Sequence, residues 1–144
     1  MQYKTTELTD FASAFIREWY RRIDSKTAFP RLEEMTVGEE IIVDFPNNPL
    51  NFDGFRRWYE GQCRDFTGEH CIHSVRATEE KNAIVIFSEI TWRAKSNAGE
   101  QITLYPDVTL KLRPETRRIF YYGCVDRKLP DRNGKEQKDE KEQI

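Results

Sequence analysis

The chain of 144 residues is long enough for one domain with a core or a small internal cavity. Its 23 basic and 25 acidic residues leave a formal net charge of −2, and the basic residues are scattered, which argues against the positive field that a phosphate backbone requires. No apolar run approaches the roughly 20 residues of a membrane helix and the N-terminal MQYKTTELTD is too polar for a signal peptide, so the expectation is a cytoplasmic protein without a nucleic-acid or membrane partner.

Leu8, Phe11, Ala12, Phe15, Ile16, Trp19 and Ile23 recur at intervals of three and four, which predicts one face of a helix about four turns long. Phe29-Pro30 opens a second, short helix, with Glu33 and Glu34 following and an end near residues 36–38. A first strand runs from Glu40 to Phe45 and stops at Pro46. Asn51 caps a third helix with Phe52, Phe55, Trp58, Tyr59, Gln62 or Cys63, and Phe66 on its inner face. From Gly68 onward the pattern is extended: residues 70–79, 82–96, 100–113 and 117–127 read as four long strands of a meander, punctuated by KN, SNAG and PET. Pro106 within the third of these implies a bulge or an edge that bends the sheet. The sum is an α+β fold, a curved and mostly antiparallel sheet covered by three N-terminal helices. Residues 1–129 form the domain, and 130–144, with a single apolar residue and no aromatic, read as a charged, flexible tail. Cys63, Cys71 and Cys124 form no CxxC pair and read as reduced thiols.

This order of elements resembles the cone-shaped fold of the nuclear transport factor 2-like superfamily, in particular its SnoaL-like branch. The resemblance covers residues 7 to about 128 and is carried by WYRRID at the end of the first helix, FDGFRRWY in the third, SEITWRAKSNAGEQITLYPDVTLKLR across the central hairpin and RIFYYGCVD in the last strand. The closing motif departs from the family pattern, with Tyr122 and Cys124 where an Arg and a Tyr are usual. The resemblance implies a pocket rather than one reaction, because the family holds isomerases, cyclases, dehydratases and epoxide hydrolases beside proteins that only bind a partner or a small molecule.

EIIVDFPN places an acid at the mouth of the first strand. The position matching the isomerases' base is Phe45, and Asp44, one residue earlier, turns away from the pocket if Phe45 turns in. The isomerase oxyanion positions fall on Phe15 or Ile16 and near Thr109, and the epoxide hydrolase positions on Ile90 and Trp92, so neither chemistry is implied. Two other groups are candidates for a catalytic acid or base. Asp107 follows the kink proline on the face shared with Thr109, and is either an acid at an apolar site or a turn aspartate in solvent. His73 alternates with Cys71 and Val75, and is either a cavity base or an ordinary strand histidine. His70 has the opposite parity, so the two histidines do not jointly chelate a metal without a bulge, and no cofactor is expected. Tyr20, Phe45, Trp58, Trp92, Tyr105 and Tyr121 fall at cavity-facing positions and suit a flat apolar or aromatic ligand. The function implied is small-molecule binding in the cone, with proton-transfer chemistry on the ligand if Asp107 or His73 acts. The alternative is a non-catalytic homodimeric interaction module with a closed cone. In both readings the outer face of the sheet pairs with a second copy of the chain.

Overall fold

The computed structural model of the chain describes residues 5–127. The tail expected from residue 130 lies outside them.

Helix α1 spans Thr5–Asp24, with Leu8, Ala12, Ile16, Trp19 and Tyr20 buried at the spacing that one helical face demands. Its C-terminus is closed by two backbone bonds, from Lys26 N–H to Ile23 O at 3.0 Å and from Thr27 N–H to Arg22 O at 3.1 Å, with Lys26 in the left-handed region at φ 59°. That is the pattern in which glycine usually stands. Helix α2 (Phe29–Glu33) carries Pro30 in its first turn and buries Phe29 and Leu32. Strand β1 covers Ile42–Asp44, shorter than the expected 40–45 because Gly38–Glu40 forms a 3-10 turn before it and Pro46 leads out of it. The turn after β1 closes with Asn48 N–H donating to Phe45 O at 2.9 Å, and Asn47 takes the left-handed position (φ 62°) that asparagine tolerates. Helix α3 (Phe52–Asp65) is capped by Asn51, whose Oδ1 accepts from Gly54 N–H at 2.8 Å. Tyr59, buried on α3, donates its hydroxyl hydrogen to Thr27 O at 2.6 Å and ties α3 to the α1–α2 connection.

The remaining strands are β2 (Phe66–Glu80), β3 (Ala83–Ser96), β4 (Gln101–Leu104), β5 (Pro106–Leu112) and β6 (Ile119–Asp126). The sheet order is β1-β6-β5-β3-β2, with β4 also paired to β3, and among these strands only β1 and β6 run parallel, a pairing prolonged by the isolated parallel bridge of Thr36 with Ile119. The segment expected as one strand over 100–113 is interrupted at Tyr105, yet β4 and β5 continue along β3 in one register, Trp92 opposite Leu104 and Glu89 opposite Asp107. Pro106 therefore breaks the strand without a bulge. The irregularities lie elsewhere, between Ile72 and Ser74 in β2 and between Lys111 and Leu112 in β5.

The concave face is filled at one end. Ile84, Ile86 and Ile90 of β3 and Val108, Leu110 and Leu112 of β5 pack under α1 and join Trp19, Phe55 and Tyr122 in a single core. Toward Trp92, Leu104 and Pro106 the helices diverge from the sheet and the interior stays open. Gly68 at this end permits the close approach of β2 to β3, since a Cβ there would stand 2.4 Å from Arg93 O.

A non-glycine residue in the left-handed region costs about 1 kcal/mol relative to glycine. Lys26→Gly is therefore expected to raise the melting temperature by roughly 3 °C, a shift read by calorimetry.

Candidate functional site

A cavity of about 400 Å³ opens between α1, α3, the β1 turn and the concave face of the sheet, within the size range of small-molecule sites. Phe45, Trp58, Phe66 and Trp92 form its apolar walls, and Tyr20, Asp24, His70, Tyr122 and Cys124 its polar side. The walls are braced ring on ring. Phe45 meets Trp58 at 5.0 Å and Tyr122 at 5.3 Å between centroids, edge to face, and Phe66 meets Trp92 at 5.7 Å.

The polar side is built by the last turn of α1 and the start of β2. Tyr20 and Asp24 are one helical turn apart and share the face that α1 turns toward β2. Asp24 Oδ1 accepts from His70 Nδ1 at 2.6 Å, while its Oδ2 accepts from the backbone N–H of the same histidine at 2.8 Å. A carboxylate oxygen accepts, so Nδ1 carries a ring hydrogen, and in the neutral ring Nε2 is the nitrogen with the lone pair. The imidazole stacks on Tyr20 at 4.1 Å and leans on Trp92 at 6.1 Å, its cross-strand partner on β3. His70 and Asp24 are 12% and 22% exposed, shielded but open to the cavity they line.

Next to this pair, the hydroxyls of Tyr20 and Tyr122 stand 3.0 Å apart and are buried. Burial pushes both phenols well above their usual range, and the neighbouring hydroxyl and the Cys124 thiol add to this for Tyr20. For Tyr122, Cys124 again adds to burial, while the Tyr20 hydroxyl and the Trp19 indole N–H pull the other way. Burial raises the Cys124 thiol to about 12, against smaller opposing pulls from Tyr122 and Tyr20. All three groups are thus neutral hydrogen-bonding groups near neutral pH.

Of the residues expected to line the cavity, Tyr20, Phe45, Trp58 and Trp92 do so. Tyr105 and Tyr121 do not. Tyr105 sits at the break between β4 and β5, its N–H directed to Asp126 Oδ1 and its carbonyl taken by Arg127 N–H. Tyr121 faces outward, donating to Asp44 Oδ2 at 2.5 Å with Lys111 over its ring, and the Asp44 hydrogen bond together with partial burial raises its phenol to about 12. Its neighbour Tyr122 faces in. Asp44 itself points away from the cavity while Phe45 lines it, as strand parity requires.

Neither expected catalytic residue reaches the cavity. Asp107 lies on the outer face with Thr109, bonded to Arg127 Nη1 at 2.5 Å. His73 bonds Thr91 Oγ1 at 2.7 Å, across the pair of strands on the face that Glu89 and Arg93 share. The reason is the irregularity at residue 73: it inverts the alternation, so that Val75 faces in but His73 does not, and His70 takes the inward place. The missed groups had a signal in the spacing of Tyr20 and Asp24 within WYRRID, and in the alternation of Phe66, Gly68 and His70.

No protein-family model and no curated protein matches the chain. Solved structures do. A nuclear transport factor 2-like superfamily protein from Salmonella enterica serovar Typhimurium superposes with a TM-score of 0.70 over 98% of this chain and 100% of its own, at 14% identity. A protein provisionally named an aromatic ring hydroxylase, from Novosphingobium aromaticivorans, gives 0.75 over 87% and 92% at 10% identity. A second from the same organism, provisionally named a scytalone dehydratase, gives 0.70 over 79% and 80% at 12% identity. The fold of this chain is the nuclear transport factor 2-like cone.

A thiol raised to about 12 is almost entirely protonated at pH 8, with roughly one thiolate in 10,000. Iodoacetamide at that pH is expected to label the exposed Cys71 first and Cys124 last, by at least a hundredfold in rate, as followed by peptide mass spectrometry.

Proposed function

We propose that the protein catalyses proton transfer on a small aromatic or polyketide-like carbonyl compound, in the manner of the SnoaL-like branch, with His70 as the base. The observation that carries this reading is the His70–Asp24 pair on the wall of an open, aromatic-lined cavity. The superposition on a protein provisionally named a dehydratase supports the same chemical class by analogy of fold.

His70 Nε2 removes a proton from the carbon next to the carbonyl, and the C–H electron pair moves onto the carbonyl oxygen. Asp24 holds the ring in the required tautomer and stabilises the imidazolium that forms, because both its oxygens are already committed to His70. Tyr20 and Tyr122 take the developing oxyanion. Their mutual hydrogen bond uses one of two hydroxyl hydrogens, and the other, which has only the weakly accepting Cys124 sulfur nearby, is the donor a ligand oxygen would attract. The imidazolium then returns the proton, to a second carbon in an isomerisation or to a β-hydroxyl that leaves as water in a dehydration. The stacked Tyr20 and Trp92 keep the imidazole plane fixed while the proton moves.

The test uses 2-tetralone, a bicyclic ketone with exchangeable α-hydrogens, in deuterated buffer. Deuterium incorporation followed by NMR is expected to accelerate with the wild-type protein, and to fall by a factor of about 10² to 10⁴ in His70→Gln. His73→Gln and Asp107→Asn are expected to stay within about threefold of wild type. Equal rates for wild type and His70→Gln would remove the base from the account and leave a binding protein.

A further inference from the structure

We infer that the substrate carries a carboxylate, and that Lys26 at the mouth of the cavity receives it. This rests on the binding cavity and on His70 marking its reacting end, and it names the substrate class. Among the described residues the charged groups of the lining are Asp24, Lys26 and Asp126. Asp24 is committed to His70. Asp126 receives the Tyr105 N–H at the end of β6, which β5 and β3 separate from β2 in the sheet. Lys26 differs from both, because among the described residues its ammonium bonds only a neutral group, Thr67 Oγ1 at 2.9 Å, and forms no ion pair. It is exposed, so its charge costs nothing to hold and is open to an incoming anion.

The backbone adds an independent observation. Lys26 occupies the left-handed position that closes α1, where glycine avoids strain, and that conformation carries its side chain from the helix end across to β2. The other left-handed residue of the lining, Asn47, needs no such reason, since it follows Pro46 in a turn that favours asparagine. Thr67 precedes His70 by three residues on β2, so their backbones are roughly 10 Å apart at a rise of about 3.3 Å per residue, and because Thr67 has the opposite parity to His70 the ammonium bonded to it stands at the edge of the strand, outside the inward row of Phe66, Gly68 and His70. A two-ring body reaches from the tyrosine pair to that edge, with the carbonyl at the tyrosines and the carboxylate at the rim. Phe45, Trp58, Phe66 and Trp92 supply the flat apolar walls between.

Matched pairs test this directly: 6-acetyl-2-naphthoic acid and 4′-acetylbiphenyl-4-carboxylic acid, each against its methyl ester, titrated by tryptophan fluorescence and by calorimetry. Wild type is expected to bind at least one acid tenfold or more tightly than its ester, and the preference should shrink as salt is raised from 20 to 500 mM. Lys26→Gly should lose the preference while melting higher than wild type, a combination that misfolding does not produce. Lys26→Met should lose it as well, without the change in backbone freedom. If acids and esters bind wild type alike, or if Lys26→Gly keeps the preference, the carboxylate assignment is overturned while the cavity stands as a binding site. If no member of either pair binds at millimolar concentration, the assignment and the binding cavity fail together.

Discussion

The clamp of Asp24 on His70 joins helix α1 to strand β2 at the open end of the cone. Strand β2 is an edge of the sheet, paired on one side to β3 and covered on its inner face by α1. The filled end of the cone needs no further tie, because isoleucines of β3 and leucines of β5 bury against α1 there. At the open end no such core exists. Asp24 instead bonds both the backbone and the ring of His70, and so fixes the distance from helix to strand with polar contacts that leave room beside them. A charge-assisted pair of this kind is about twice as strong as a neutral hydrogen bond, and it is sheltered here from bulk water.

The cavity persists because its walls support one another. An aromatic ring standing over a void would turn into it, since a dry gap forfeits dispersion contacts on one side. Phe45 is wedged between Trp58 and Tyr122, and Trp92 is held between Phe66 and His70, so neither ring moves without displacing another. In the proposed function the same rings select a flat apolar body, oriented by hydrogen bonds at one end. Tyr122 has a part in both functions, packing edge-on to Trp19 and Phe55 in the core while presenting its hydroxyl to Tyr20. A substitution there is therefore structural as well as functional.

The helices were legible because each carries its own local signal: the three-four spacing of α1, Pro30 in α2, Asn51 capping α3. So was the outward turn of Asp44, which needs only strand alternation counted over one residue. Alternation failed where it was carried across a break. The alternation of His73 with Val75 runs through an irregularity between Ile72 and Ser74 that no residue type announces, so the inward histidine is His70 and not the expected His73. RIFYYGCVD presents Phe120, Tyr121 and Tyr122 in succession, so polarity does not distinguish the two faces, and the inward place expected for Tyr121 belongs to Tyr122. Asp24 was the hardest to see, since its partner lies 46 residues away and only the docking of α1 on β2 brings them together. Tyr20 and Tyr122 meet across 102 residues for the same reason.

In the proposed function His70 and Asp24 act as one unit, and a double-mutant cycle measures their coupling. Rates of deuterium exchange into 2-tetralone are compared for wild type, Asp24→Asn, His70→Gln and the double variant, with thermal melting of each to confirm that the fold is kept. If Asp24 works only through the imidazole, the double variant is expected to be no slower than His70→Gln alone, so that the effect of Asp24→Asn vanishes once the histidine is gone. Effects that multiply independently in the double variant would contradict the account, because the aspartate would then be acting on the substrate or the fold by a route that does not pass through His70.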